Sequence, residues 1–117
     1  MPVRSLHSSV KKWPSRAEAL DAFRSWARKE MARRPDICRI GCFGSLAKGG
    51  WGVGSDLDII IVLAESKVPP LRRASEWDTT SLPVAADLVV LTDKECRGGY
   101  SARFKRVLEQ ETIWEKR

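Results

Sequence analysis

The chain has 117 residues, of which 43% are hydrophobic and 31% are charged, and its formal net charge at pH 7 is +6. Such a length and composition are typical of one globular domain, and the longest apolar run, residues 59–64, is too short to cross a bilayer. Three cysteines without a CxxC spacing and a single histidine, His7, exclude a disulfide framework, a zinc knuckle and a histidine-based triad, so we expect a cytoplasmic protein.

A polar segment precedes the first predicted helix. We expect residues 1–14 to form a basic N-terminal arm without the apolar region of a secretory signal, and residues 15–117 to form the domain. Ser15 and Glu18 have the spacing of a capping box, and apolar residues at helical spacing follow them. This pattern predicts a helix that continues to about Arg34.

Two strands and a glycine-rich loop are predicted next. Ile37–Phe43 is a β-type run that ends at a glycine. Residues 44–54 contain five glycines, which predict a loop with room for one helical turn after Ser45. Leu57–Leu63 is rich in Ile and Val and predicts a strand that is buried on both faces.

The second half of the chain continues this alternation. We expect a short helix over residues 71–78, a second buried strand over residues 84–91, a short helix capped by Asp93, a further helix begun by Ser101 and an edge strand over residues 112–114. The order of elements predicts an α/β (α+β) fold with a single-layer mixed β-sheet and helices packed on it.

Three carboxylates interrupt these apolar strands. Asp56 and Asp58 are two residues apart and therefore point to one face, and Asp87 joins them if its strand is a neighbour. Each alone is compatible with a turn cap, an arginine partner or a bulge. Together they would repel one another and lose hydration, which a divalent cation between them would offset. Oxygen ligands without Cys or His favour Mg²⁺, as two ions, or Mn²⁺.

A candidate phosphate-binding loop lies upstream of these carboxylates. Gly44 lets the backbone turn after a strand, Ser45 offers a hydroxyl and Lys48 adds a cation. The segment matches neither a P-loop nor a dinucleotide fingerprint. Loop and carboxylates together predict that the loop holds the leaving phosphates of a nucleoside triphosphate, while two metal ions act on its α-phosphate. Asp87 could then accept the proton of the attacking hydroxyl.

These residues carry a resemblance to a known family. Gly44-Ser45, ten further residues and the Asp-Leu-Asp sequence that ends at Asp58 resemble the DNA polymerase β-type nucleotidyltransferase superfamily, most closely its minimal nucleotidyltransferase (MNT) branch. The resemblance covers roughly residues 20–115. It implies a polymerase β-like nucleotidyltransferase fold and Mg²⁺-dependent transfer of a nucleoside monophosphate, AMP from ATP, to a hydroxyl. Lys48 stands where an arginine is usual in the family.

The resemblance also implies roles for single residues. Gly44 and Ser45 would contact the triphosphate. The magnesium ligands and catalytic residues would be Asp56, Asp58 and Asp87.

Partners follow from the same resemblance. Stand-alone members of this branch resemble antitoxins that are paired with HEPN-type toxins, so the implied acceptor is a hydroxyl of a HEPN toxin in a hetero- or homo-oligomeric assembly. Two alternatives stay open, namely an antitoxin that neutralises its partner by binding alone and an enzyme that adds nucleotides to RNA. Only the basic flanks favour RNA, since residues 94–117 carry seven Lys/Arg against four Asp/Glu.

Three further residues have two interpretations each. Trp51, between two glycines, either contacts a base or partner or packs over the site. Arg72 and Arg73 either lie on a solvated helix face or reach nucleotide or RNA.

Overall fold

A computed structural model of the chain describes residues 13–98 and 101–117. Residues 1–12, which include most of the expected arm and His7, lie outside the described residues. None of the helices in the described ranges is long and apolar enough to span a membrane. The elements in chain order are α1 (Arg16–Arg33), β1 (Ile37–Phe43), α2 (Ser45–Lys48), β2 (Leu57–Leu63), a 3₁₀ helix (Pro70–Glu76), β3 (Ala86–Thr92), α3 (Asp93–Arg97), α4 (Ala102–Gln110) and β4 (Ile113–Lys116).

The four strands form one mixed sheet in the order β3-β2-β1-β4. β1 is antiparallel to both β2 and β4, whereas β2 and β3 are parallel. A parallel pair needs a crossover connection, and residues 64–85, with the 3₁₀ helix among them, provide it. The predicted mixed sheet with helices packed on it is confirmed, with β4 at one edge.

Strand β2 is the centre of the core because both of its faces are covered. Ile59 and Ile61 pack with Phe23 of α1 on one face of the sheet, which we call the α1 face. Ile60 packs with Leu108 of α4 on the opposite face, which we call the α4 face. All of these side chains except Leu108 are completely buried. The prediction of a strand that is buried on both faces is therefore confirmed.

Helix α1 begins at the predicted capping box. The backbone N–H of Glu18 donates to Ser15 Oγ over 3.1 Å, and the N–H of Ser15 donates to Glu18 Oε1 over 2.8 Å. These two bonds satisfy backbone donors that would otherwise lack a partner in the first turn. The helix ends at Arg33, two residues before Pro35.

The short helix α3 corrects one prediction, because its cap is Thr92 and not Asp93. Thr92 Oγ1 accepts a hydrogen bond from the N–H of Glu95, and Glu95 Oε1 accepts one from the N–H of Thr92. Thr92 and Glu95 have the three-residue spacing of a capping box, so Asp93 becomes the first helical residue and pairs with Arg97. Strand β3 also departs from the prediction of a buried strand over residues 84–91, because it runs from Ala86 to Thr92 and only its last three residues are buried.

Arg73 corrects a second prediction, since it lies neither on a solvated face nor at a nucleotide. Its side chain is only 4% exposed and forms an ion pair with Glu95 at 2.6 Å. Its guanidinium also donates to the carbonyl oxygens of Val68 and Val90. Arg73 therefore fixes the crossover to β3 and α3, whereas Arg72 is exposed.

Candidate active site

Two of the predicted carboxylates lie side by side on the parallel strands. Asp58 of β2 is the register partner of Asp87 of β3. Leu57 and Ile59 pack on the α1 face, so Asp58 between them points to the α4 face. Side chains in register on neighbouring strands point to the same face, so Asp87 lies beside Asp58 on the α4 face. The structure thus brings together the carboxylates that the sequence placed on separate strands.

The third predicted carboxylate, Asp56, immediately precedes β2 and is exposed, as is Asp87, whereas Asp58 is half-buried. Burial, followed by the negative charges of Asp87 and Asp56, raises the pKa of the Asp58 carboxyl above its ordinary value. Within residues 13–98 and 101–117, no side-chain hydrogen bond or ion pair compensates any of the three carboxylates. The strands therefore hold adjacent negative charges without a protein partner in the described part of the chain.

The donor set of this cluster fits a hard divalent cation, although it is not a complete cage. Among the described residues, no group of three or more His, Cys, Asp or Glu side chains is arranged so that it could hold a metal ion unaided. Mg²⁺ in nucleotide sites commonly takes one or two carboxylates and completes its octahedron with water and substrate phosphates. Asp58 and Asp87 match that partial set, with Asp56 close enough to influence Asp58 electrostatically.

Gly44 brings the backbone next to these carboxylates. Its φ of 68° and ψ of −146° belong to a region that only glycine adopts readily. A Cβ atom added at Gly44 would collide with Asp58 Oδ2, because Phe43 at the end of β1 is the register partner of Asp58. A glycine is therefore required here both by the conformation and by the proximity of the carboxylate.

Ser45 and Lys48 begin and end the single turn of α2, as the sequence predicted. Leu46, completely buried, attaches this turn to the α1 face, and Arg16 Nε donates to the carbonyl oxygen of Leu46 over 2.8 Å. Lys48 is 60% exposed, and its Nζ lies 3.4 Å from a carboxylate oxygen of Glu111. The predicted phosphate cation is thus engaged by an acidic residue.

A groove of about 340 Å³ extends from this loop along α4. We call it the α4 groove, and its lining residues are Phe43, Gly44, Lys48, Arg103, Arg106, Val107 and Glu111. Arg103 and Arg106 were not predicted to be site residues from the sequence. Their signal was present in the basic C-terminal flank, as two arginines three residues apart on a helix begun by Ser101.

Trp51 serves packing in this structure. Its indole is half-buried against the core of the α1 face, and its Nε1 donates to the carbonyl oxygen of Pro14 over 2.9 Å. Of the two interpretations, the structure supports packing, which ties the glycine-rich loop to the segment before α1.

Comparisons with known proteins identify the family of the chain and agree with its fold. The sequence profile described as "Nucleotidyltransferase domain" matches residues 24–115. In fold the chain is similar to a candidate nucleotidyltransferase from Sulfolobus solfataricus, with a TM-score of 0.63, 21% identity and 92% of each chain covered. It is also similar to a chain of a toxin–antitoxin structure with AMP-PNP, with a TM-score of 0.54, 20% identity, and 78% of this chain and 70% of that chain covered. None of the curated proteins is detectably similar in sequence.

Proposed function

The chain belongs to the nucleotidyltransferase domain family, and from that premise we propose that it transfers AMP from ATP to a hydroxyl group of a partner protein. The observation that carries this proposal is the in-register pair Asp58 and Asp87, uncompensated within the described residues and adjacent to Gly44. Side-by-side carboxylates repel each other and destabilise a folded sheet, and ionisable groups perturbed in this way cluster at functional sites.

In this proposal Asp56, Asp58 and Asp87 hold Mg²⁺, with two ions expected. Bound there, Mg²⁺ supplies charge neutralisation of the phosphates and a lower pKa for the attacking hydroxyl. The donor chemistry of the cluster supports this assignment, and so does the pKa of Asp58, which is raised first by burial and then by the charges of Asp87 and Asp56, because a bound cation would favour the ionised carboxylate.

The chain's own residues then position the reaction. Gly44 lets the backbone lie against Asp58 without a side chain that would displace this carboxylate, and the Ser45 hydroxyl donates to a phosphate oxygen. The acceptor oxygen forms a bond to the α-phosphorus, the bond from that phosphorus to the β-phosphate oxygen breaks, and pyrophosphate leaves. Asp87 accepts the proton of the acceptor hydroxyl. Catalysis rests on position and electrostatics, and no histidine is needed.

The proposed partner is the HEPN-type toxin of a toxin–antitoxin pair in the cytoplasm. Support for a protein partner comes from the similarity in fold to the toxin–antitoxin structure with AMP-PNP. The one-layer sheet also leaves the carboxylate end of the α4 face without a second domain in the described ranges, so a partner surface would have access to it.

The test is transfer of label from α-³²P-ATP, with Mg²⁺, to the protein encoded by the neighbouring gene. We expect label on that protein with the wild type, none with γ-labelled ATP, and none with Asp58→Asn. Asp21→Asn, which removes an exposed carboxylate on α1, is the matched control and should transfer label normally.

Other outcomes separate the alternatives. Neutralisation of the toxin by Asp58→Asn without any labelling indicates an antitoxin that acts by binding. Label that appears in RNA and not in protein indicates nucleotide addition to RNA. Either result contradicts the proposed acceptor.

A further inference from the structure

The α4 groove adjoins the carboxylate site directly, because Gly44 belongs to both. Gly44 lines the groove, and its backbone is so close to Asp58 that an added Cβ would meet the carboxylate. Asp58 and α4 also lie on the same face of the sheet, where α4 packs through Leu108 against Ile60. A ligand whose reacting group lies at Asp58 can therefore extend past Gly44 into the groove without crossing the sheet.

The charge of the groove differs in sign from that of the carboxylate cluster. Lys48, Arg103 and Arg106 contribute three positive charges, and Glu111 contributes one negative charge. Lys48 forms its ion pair with Glu111. For Arg103 and Arg106, neither of which is buried, the described part of the chain contains no hydrogen-bond or ion-pair partner. Two guanidinium groups are thus available to an anionic ligand at this position.

Their spacing directs both arginines to one ligand. Arg103 and Arg106 are three residues apart on α4 and therefore lie on the same side of the helix, with Val107 beside them at the groove. Lys105, between them in sequence, lines a different cavity together with Lys116. Guanidinium groups bind phosphate oxygens through two parallel hydrogen bonds, which a lysine cannot do.

On these grounds we infer that Arg103 and Arg106 bind the β- and γ-phosphates of the nucleoside triphosphate, together with Lys48 once it leaves Glu111. The inference rests on the proposed function and assigns the phosphate tail to α4, beyond the Gly44-Ser45 loop. The volume of the groove suits a small ligand more than a polymer. Glu111 acts in opposition, because it competes with the phosphates for Lys48.

The experiment measures the affinity of the whole chain for AMP-PNP and for AMP, each with Mg²⁺, by isothermal titration calorimetry. Arg103→Gln combined with Arg106→Gln should lower the affinity for AMP-PNP at least about ten-fold and change the affinity for AMP by less than about two-fold. The control pair Lys105→Gln with Lys116→Gln removes the same charge from the other cavity and should leave both affinities within about two-fold. Glu111→Gln should raise the affinity for AMP-PNP about two-fold or more, because Lys48 loses its ion-pair partner.

The outcomes separate this inference from the proposed function. A wild-type chain that binds no AMP-PNP overturns both. If the wild type and the arginine double variant bind AMP-PNP equally well, the inference alone is overturned. It is also overturned if the lysine control loses as much affinity for AMP-PNP as the arginine double variant does. If the arginine double variant keeps its affinity for AMP-PNP but loses affinity for a single-stranded RNA oligonucleotide, the groove binds RNA instead. If the variant loses equal affinity for AMP and AMP-PNP, the arginines do not bind the β- and γ-phosphates.

Discussion

The β2–β3 pair carries charge at both of its ends, and the two ends differ in how that charge is compensated. Where the strands end, the buried Arg73 forms an ion pair with the partly exposed Glu95, and backbone groups add three hydrogen bonds to this pair. Where the strands begin, Asp58 and Asp87 lie in register with no compensating partner among the described residues. We infer that the first end serves stability, and we propose that the second end serves function.

Substitution of Asp87 at the uncompensated end should change activity more than any other substitution considered below. Asp87→Asn should lower the rate of nucleotidyl transfer at least about 10³-fold, because it removes the proposed metal ligand and proton acceptor. The same substitution should leave the melting temperature unchanged or raise it, since the charge repulsion between Asp87 and Asp58 disappears. Parallel activity assays and calorimetry check this. Loss of activity together with a lower melting temperature would make Asp87 a structural residue and remove the contrast between the two ends.

At the compensated end we expect the opposite pattern. Arg73→Gln should lower the free energy of unfolding by about 3 kcal/mol, because Glu95 and two carbonyl groups lose their donor. Arg72→Gln, at the exposed neighbouring position, should change it by less than about 0.5 kcal/mol. Urea denaturation measures both. Equal effects of the two substitutions would show that the burial of Arg73 contributes nothing to stability.

Gly44 allows a test of how closely the loop approaches the uncompensated end. Gly44→Ala should cost about 2 kcal/mol of stability and most of the activity, because of its backbone conformation and the collision with Asp58. Gly49 has a φ of 96°, but no atom lies within 4 Å of a Cβ added there. Gly49→Ala should therefore lower the free energy of unfolding by about 1 kcal/mol and retain activity. Denaturation curves and transfer assays compare the two. Similar losses of activity would mean that strain in the loop matters and proximity to Asp58 does not.

The smallest expected effect is the pH dependence of the compensated end. The hydrogen bond from Arg73, followed by that from the Thr92 backbone, lowers the pKa of Glu95 from 4.5 to about 2. A carboxyl whose pKa is lower in the folded state stabilises the fold above its unfolded pKa, and this contribution is lost as the pH falls. The difference in stability between the wild type and Glu95→Gln should therefore shrink as the pH falls from about 5 to about 2. A difference independent of pH would contradict the ionic pairing.

The sequence predicted the elements whose signals are local. The capping box of Ser15 and Glu18 determined the start of α1, and the bounds predicted for Ile37–Phe43 and Leu57–Leu63 agree with those of β1 and β2. Thr92 was overlooked as a cap because Asp93 beside it is an equally good cap residue.

Properties that depend on tertiary contacts were less accessible. The convergence of Asp58 with Asp87 could be predicted only on the condition that their strands are neighbours, because strand order and register are not local properties. For the same reason the sequence could not distinguish Arg73, which is paired and buried, from Arg103 and Arg106, which are not. Composition reports how many cations there are, and only the fold decides which of them find a partner.

We propose that Asp58 and its neighbours hold a divalent cation together with the nucleotide. The most direct measurement is titration of Mn²⁺ in the presence of AMP-PNP, followed by electron paramagnetic resonance, for the wild type, Asp58→Asn and the control Asp21→Asn. We expect the wild type and Asp21→Asn to bind Mn²⁺ equally, and Asp58→Asn to bind it at least about ten-fold more weakly. Equal Mn²⁺ affinity in all three proteins, or no binding in the wild type, would contradict the account.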